Sequence, residues 1–358
     1  MTSLVAAASQ SLRTRAGSLL RRALSDVNAT FARAPKSRHR NWLLTSQIVC
    51  TILLAVWVMR RIDLQPLVGY LASLHWNAVV LLAGIGLLDR FLSAWKWHVL
   101  LVAKNTRLRL GEVFRIQMIA SFFAGFLPTV IGLDAVRIYL AARATGRTLD
   151  SVAASTADRL LTIVGTFLIA GVVILVSPLQ PDDTTSGLLL LVAFLLVSGL
   201  MVVAQARWMA RFKPIVLRVL GPRLAGFCSR IYWNLHEFRS RRGAVAACCG
   251  ITAASFIVRI TFVQVAAAAL GIDVSFGALL LRLPLTWVAL MLPFSLGGLG
   301  LQETAYLIAL TSIGIEPAAA VAISLLDQVT VRAVSVLGAA FWMMNRRSAV
   351  HDLHSRVT

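Results

Sequence analysis

Leu127-Pro128-Thr129-Val130-Ile131-Gly132 and Leu292-Pro293-Phe294-Ser295-Leu296-Gly297-Gly298 are two helix-breaking stretches in an otherwise apolar chain. Each is preceded by an apolar run too short to cross a membrane alone, 113–126 and 278–292, and followed by another, 135–142 and 302–313. Proline and glycine within such runs open the backbone, and open backbone at membrane depth survives only in protein or beside a water-filled cavity. Two such interrupted segments in matching places mark a transport site at a repeat interface.

The rest of the composition agrees with a membrane solvent. Of 358 residues, 58% are hydrophobic and 14% charged, and mean hydropathy is +0.79; a soluble domain carries about 25% charged residues. The net charge of +20 would suggest nucleic acid in a soluble protein. Here the basic residues gather in a few loops, so the asymmetry reads as topology, with attraction to anionic lipid as a second consequence. No nucleic-acid partner is expected.

Residues 1–40 hold eight Lys/Arg against Asp26 and are read as a disordered cytoplasmic arm. The transmembrane domain is expected over 41–345, followed by a cytoplasmic tail over 346–358. Full spans are read at 42–58, 76–102, 154–176, 187–203, 244–270 and 321–344. The loop 207–243 has nine Lys/Arg against Glu237, which makes it cytoplasmic; Trp208, Phe212, Ile215 and Val219 give it an amphipathic helical spacing. The loop 177–186 carries Asp182 and Asp183 and no basic residue, as expected outside. Arg60 and Arg61 are the misfit, being basic in an outer loop, and are read as snorkelling from a helix end.

The expected fold is therefore an all-α polytopic membrane bundle of six full spans and two re-entrant broken hairpins, with both termini cytoplasmic. Its repeat halves are about 76–177 and 244–344. Arg90 and Arg259, like Asp158 and Asp327, are 169 positions apart; Pro128 and Pro293 are 165 apart, Gly146 and Gly314 168. Three spans lie between the hairpins, an odd number, so the halves are expected to be inverted, as in alternating-access carriers.

Charged residues at membrane depth cost about 2.5–3.5 kcal/mol each on insertion scales and are functional by default. The deep set is Arg90, Asp134, Arg137, Asp158, Arg159, Arg259, Arg282, Glu303, Asp327 and Arg332. Six are basic and four acidic, so an anionic ligand would relieve a positive surplus, and arginine's planar fork suits phosphate. Plainer readings stand beside this one. Asp158 and Arg159 read equally as ion pairs between helices, and Asp327 with Arg332 as a pair near a helix end. Arg282 and Lys96 are read as interfacial. Asp134, Arg137 and Glu303 are hardest to explain as packing. The expectation is that Arg90, Asp134, Arg137, Arg159, Arg259 and Glu303 converge on one polar cavity.

No Walker loop, GxGxxG, HExxH or GxSxG occurs, the six histidines show no ligand spacing, and Cys50, Cys228, Cys248 and Cys249 form no CxxC. No metal or cofactor is expected.

At these motifs the chain resembles the transmembrane region of lysylphosphatidylglycerol synthases, the flippase-like domain family. The likeness rests on Leu127-Pro128, Gly132-Leu133-Asp134-Ala135-Val136-Arg137 and Ala157-Asp158-Arg159-Leu160. In the second half it rests on Leu292 to Glu303, with Pro293, Gly297, Gly298 and Gly300 as its breaking residues. It covers roughly 42–345. The resemblance implies a stand-alone member without the aminoacyl-transferase domain, in a bacterial inner membrane. It implies a lipid flippase or carrier for an anionic or polyprenyl-linked lipid, and not an enzyme. The alternative is a membrane-embedded enzyme or scaffold in lipid, hopanoid or glycolipid synthesis. Expected partners are membrane lipids, anionic by charge, with a homo-oligomer or lipid-synthesis enzymes as further candidates.

Overall fold

The computed structural model describes residues 38–62, 64–124, 132–176, 237–291 and 298–354. Every regular element among them is helical. The spans read at 187–203, the amphipathic spacing at 208–219, the outer loop 177–186 and the breaking residues Pro128, Pro293 and Gly297 lie outside the described residues.

The chain divides into two compact units at Ile48 and Val49. The first contributes the opening turns of α1 (Arg38–Met59); the second holds everything that follows. After α1 comes a helix that the sequence reading took for plain loop, α2 (Leu64–Ala72). Nine residues are too few to register on a span-length hydropathy scale. Helix α2 packs against the last helix of the chain, and Tyr70 donates a 2.7 Å hydrogen bond to Glu316. That bond raises the Tyr70 phenol above its ordinary pKa, since ionising it would set two anions side by side. Arg61 stacks over the Trp57 ring at 5.3 Å.

Among the described residues, the remaining α-helices fall into two sets of four. The first is α3 (Trp76–Ala103), α4 (Leu110–Ala124), α5 (Gly132–Thr145) and α6 (Thr148–Val176). The second is α7 (Arg242–Ala269), α8 (Phe276–Met291), α9 (Leu301–Thr311) and α10 (Pro317–His354). Among the described residues, three helices are long and apolar enough to cross a membrane: α3, α7 and the Pro317–Met344 part of α10. Helices α4, α5, α8 and α9 have 15, 14, 16 and 11 residues. At 1.5 Å per residue they reach only about 17–24 Å, short of the ~30 Å hydrocarbon. Helix α4 packs on α5 and α8 on α9, as broken hairpins require.

Local signals set these ends. Glu112 accepts from the Arg109 backbone N–H at 2.9 Å, half of a capping box at the start of α4. Pro317 opens α10, where its missing N–H is no loss. Helices α3 and α7 end alike: Asn105 and Gly271 take φ of 56° and 75°. The Thr106 N–H then reaches Leu101 O and the Ile272 N–H reaches Ala267 O, both at 3.0 Å. These turns are 166 positions apart. Gly146 and Gly314, with φ of 72° and 87°, close α5 and α9 at a distance of 168. The repeat register thus lengthens across the break. Arg90 and Arg259, matched at 169, are consequently not equivalent positions, because α3 and α7 align at 166; Arg259 corresponds to Ser93.

Small residues let the bundle close. Ala318, Ala319, Ala320 and Ala322 are all buried on α10, in a core with Leu82, Ile260, Leu279, Leu283 and Leu310. A second core gathers Trp97, Leu100, Leu101, Val113 and Ala154. Outward, Ile52, Leu53, Trp76, Val80, Leu81 and Val336 are exposed, a surface suited to lipid.

Candidate functional site

Helices α3, α5 and α6 bring together one network of charges. Arg137 is 2% exposed. Its Nη2 pairs with Asp134 and with Asp158, each at 2.8 Å, and its guanidinium lies 4.9 Å from the centre of the buried Trp97 ring. The other oxygen of Asp134 takes Arg159, and the other oxygen of Asp158 takes Lys96 at 3.0 Å. Lys96 also donates to Thr162. Asp134 and Arg137 meet because they are three apart in the first turns of α5; α6 supplies Asp158 and Arg159 as consecutive residues. Lys96, read from sequence as interfacial, is instead buried at 6% exposure. A lysine in mid-helix beside a carboxylate has no reason to snorkel.

A second network forms where α3 meets α7, α9 and α10. Asp89 holds Arg90 at 3.2 Å and Arg259 at 3.1 Å, and Arg259 stands over the Trp287 ring at 5.7 Å. Asp327 accepts from Gln302 at 2.8 Å and from the Tyr306 hydroxyl at 3.0 Å. These residues line a cavity of about 190 Å³, with Gly86, Phe262 and Leu290 as apolar wall.

The two halves repeat one contact scheme. Arg137 donates to Asp158 and Tyr306 to Asp327, each pair 21 residues apart. Arg159 donates to Asp134 and Gln328 to Glu303, the latter at 2.6 Å, each pair 25 apart. Every member of the second set lies 169 positions after its counterpart. The halves differ in chemistry at these positions: arginines in the first are replaced by tyrosine and glutamine in the second. Asp158 and Asp327 are thus true counterparts with unlike partners, cationic for one and neutral for the other.

The structure distributes the deep residues in direct contacts over these two networks and the buried Glu303–Gln328 pair. Arg332 is on the exposed side of α10, apart from both, and Arg282 on α8 is half-buried. Of the breaking residues, Gly132 opens α5. Gly298 and Gly300 have φ of 82° and 76°. At Gly300 a Cβ would press within 3.0 Å of Thr51 O and Leu54 on α1, so glycine meets both a backbone and a space requirement there.

Sequence reasoning passed over Asp89. Its signal was available, a carboxylate beside Arg90 in an apolar helix, and including it changes the charge balance. Lys96, Arg137 and Arg159 face Asp134 and Asp158, a formal surplus of one; Arg90 and Arg259 face Asp89 and Asp327, a balance. The positive surplus of two expected from the sequence falls to one over the two networks, as low dielectric favours. Tyr306, Gln302, Gln328, Trp97 and Trp287 were also missed, because uncharged side chains fall outside a search for ions at membrane depth.

No group of three or more His, Cys, Asp or Glu side chains among the described residues is placed to hold a metal. No curated protein and no solved structure matches the chain. The model of one family, the lysylphosphatidylglycerol synthase TM region, matches residues 43–338. That stretch contains every helix of both sets up to most of α10 and all the buried charges described above. The chain therefore belongs to the lysylphosphatidylglycerol synthase TM-region family, membrane-embedded multi-pass proteins with a lipid-related role.

Proposed function

We propose that this protein is a carrier, not an enzyme, that moves an anionic or polyprenyl-linked lipid between the leaflets of a bacterial inner membrane. Both termini are then cytoplasmic, and membrane lipids are the partners. The observation that carries the reading is the cavity around Arg259. Two arginines share one carboxylate there, so a lipid phosphate can compete with Asp89 for Arg90 and Arg259. Its volume is about 190 Å³, and a head group entering it leaves the acyl or prenyl chains in the bilayer. The duplicated contact scheme on short, broken helices supplies two halves that can exchange roles, the basis of alternating access when the halves are inverted. Two carboxylates that an enzyme would use as acid or base already have partners at the site: Asp134 two arginines, and Asp327 Tyr306 and Gln302.

The test is transfer of a fluorescent phosphatidylglycerol between leaflets of liposomes containing the protein. Wild type is expected to exceed protein-free vesicles, and Arg259→Gln and Asp327→Asn to lower the rate at least tenfold with an unchanged unfolding temperature. Arg259→Gln is the cleaner probe, because Asp89 keeps Arg90 as partner. Arg137→Ala is a poorer one, since it removes the centre of a buried network. Wild-type rates in both cavity variants would sink the carrier reading. Orientation is tested separately. In a cysteine-free background, Ser186→Cys should react with a membrane-impermeant maleimide from outside and Ser240→Cys should not; the reverse pattern refutes the topology.

A further inference from the structure

Glu303 stands in the second half where Asp134 stands in the first, 169 residues on, but it has neither of that residue's cations. Asp134 holds Arg137 and Arg159; the counterparts of those arginines are Tyr306 and Gln328. Tyr306 gives its hydroxyl to Asp327, which leaves Glu303 with one bond, from Gln328 Nε2 to its Oε1 at 2.6 Å. Both side chains are more than nine-tenths buried, at 8% and 5% exposure. Among the described residues, the buried Glu303 Oε2 and Gln328 Oε1 have no hydrogen-bond partner.

An acid and an amide that share one hydrogen bond and keep two bare acceptors lack one proton. With that proton on Oε2 the carboxyl becomes a donor. The pair can then close a ring of two hydrogen bonds, the amide N–H to Oε1 and the carboxyl O–H to the amide oxygen. Ionised, the same group is a buried charge with no cation to offset its desolvation. The charged groups on the surrounding helices do not fill that place. On α10, Asp327 is an acid that accepts from Gln302 and Tyr306, and Arg332 is exposed. On α7, Arg259 is held by Asp89. On α8, Arg282 is half-buried and is not bonded to Glu303 Oε2. Helix α1 meets α9 at Gly300 and has no charged residue over 46–59. One influence favours the anion: Glu303 is in the first turn of α9, at the positive end of its dipole. That is weaker than a paired cation, and it makes the proton removable. A metal ion fits poorly, since calcium takes about 6–8 oxygens and two are open here.

We propose that Glu303 and Gln328 form an exchangeable proton-binding site, and that its proton accompanies the anion held at Arg259. The second clause rests on the carrier reading; the site itself does not. Gln302 and Asp327, the residues immediately before Glu303 and Gln328, line the Arg259 cavity. An ionised Glu303 therefore puts a negative charge on the same pair of helices as the cavity, and a proton removes it. Proton and anion favour each other's binding, and that coupling is reciprocal. The first half offers no such site, because Asp134 keeps its two arginines.

The experiment is labelling of the full chain, in a neutral detergent, with dicyclohexylcarbodiimide, an apolar reagent that adds to protonated carboxyl groups. Peptide mass spectrometry locates the label over a series of pH values. Glu303 is expected to take at least tenfold more label than Asp134, and to lose it as pH rises. Gln328→Arg restores the cation of the first half and should abolish labelling of Glu303. Should that variant not fold, the wild type decides alone. An unlabelled Glu303, or label shared equally with Asp134, overturns the site; protection by sodium chloride but not by choline chloride makes it a cation site and overturns the proton. Coupling is read in the liposome transfer assay, as the ratio of rates with a pH gradient and after a protonophore has collapsed it. Wild type should show a ratio of at least three and Glu303→Gln a ratio of one. Wild-type transfer that ignores the gradient overturns the coupling. Absence of any wild-type transfer overturns the carrier reading and the coupling with it, while the labelling still decides the proton site.

Discussion

Asp158→Ala will lower the stability of the folded protein by about 3–5 kcal/mol, the cost of breaking a buried ion pair from one side. Among the described residues, Asp158 is the carboxylate in contact with both Lys96 and Arg137, at 3.0 and 2.8 Å. Without it Asp134 is left with the two arginines, Arg137 and Arg159, and Lys96 loses its carboxylate and keeps the Thr162 hydroxyl. The wild-type pairs offset a desolvation penalty that the variant pays in full. Lys96→Met in the same chain removes the stranded ammonium, and the double variant should recover a coupling energy of about 0.5–3 kcal/mol. Denaturant unfolding in detergent measures each corner of that cycle. Asp158→Ala unfolding with the wild type, or a double variant that loses the sum of the singles, would show that the network contributes no stability. Asp327, its counterpart, should respond less. Tyr306 and Gln302 are neutral and are left as unmet donors rather than as bare charges.

Gly338→Leu is expected to prevent accumulation of folded protein, and Gly338→Ala to cost about 1–3 kcal/mol, as overpacking does. A Cβ at Gly338 on α10 would run into the backbone carbonyl of Met118 on α4, and Phe122 Cβ lies 3.0 Å away. A flexible side chain can turn aside; a helix backbone moves only with the whole helix. Glycine is there because two helices approach backbone to backbone, the way small residues work in membrane bundles. Gly84 on α3 supplies the contrast. Nothing lies within 4 Å of a Cβ there, so Gly84→Ala should be neutral or stabilise by about 0.5–1 kcal/mol through helix propensity. Unfolding temperatures of the two alanine variants should move in opposite directions. A Gly338→Ala protein as stable as wild type would mean that α4 and α10 do not pack as described.

Much of this protein is written in one dimension. Bilayer thickness converts apolar run length directly into span or half-span, so α3, α7 and the paired short helices were legible from residue counts. Lys/Arg asymmetry likewise yields an expected orientation without any contact being known. Asp134 and Arg137 are legible as neighbours because helical spacing alone joins positions three apart. The spacing between Asp158 and Asp327 anticipates the shared register of the halves. Tertiary structure decided the rest, because pairing across helices depends on rotation and depth, which residue spacing within one helix does not encode. It joined Lys96 on α3 to Asp158 on α6, so a residue taken as interfacial became a buried partner. It also set Arg90 and Arg259 on a common Asp89, although the helix register makes them inequivalent. The same holds for Tyr306, Gln302 and Gln328, which carry no charge and acquire a role only when packing places them 169 residues after Arg137, Leu133 and Arg159 on a repeated scaffold. Charge cost in a low dielectric says that buried ions must find partners; only the fold says which.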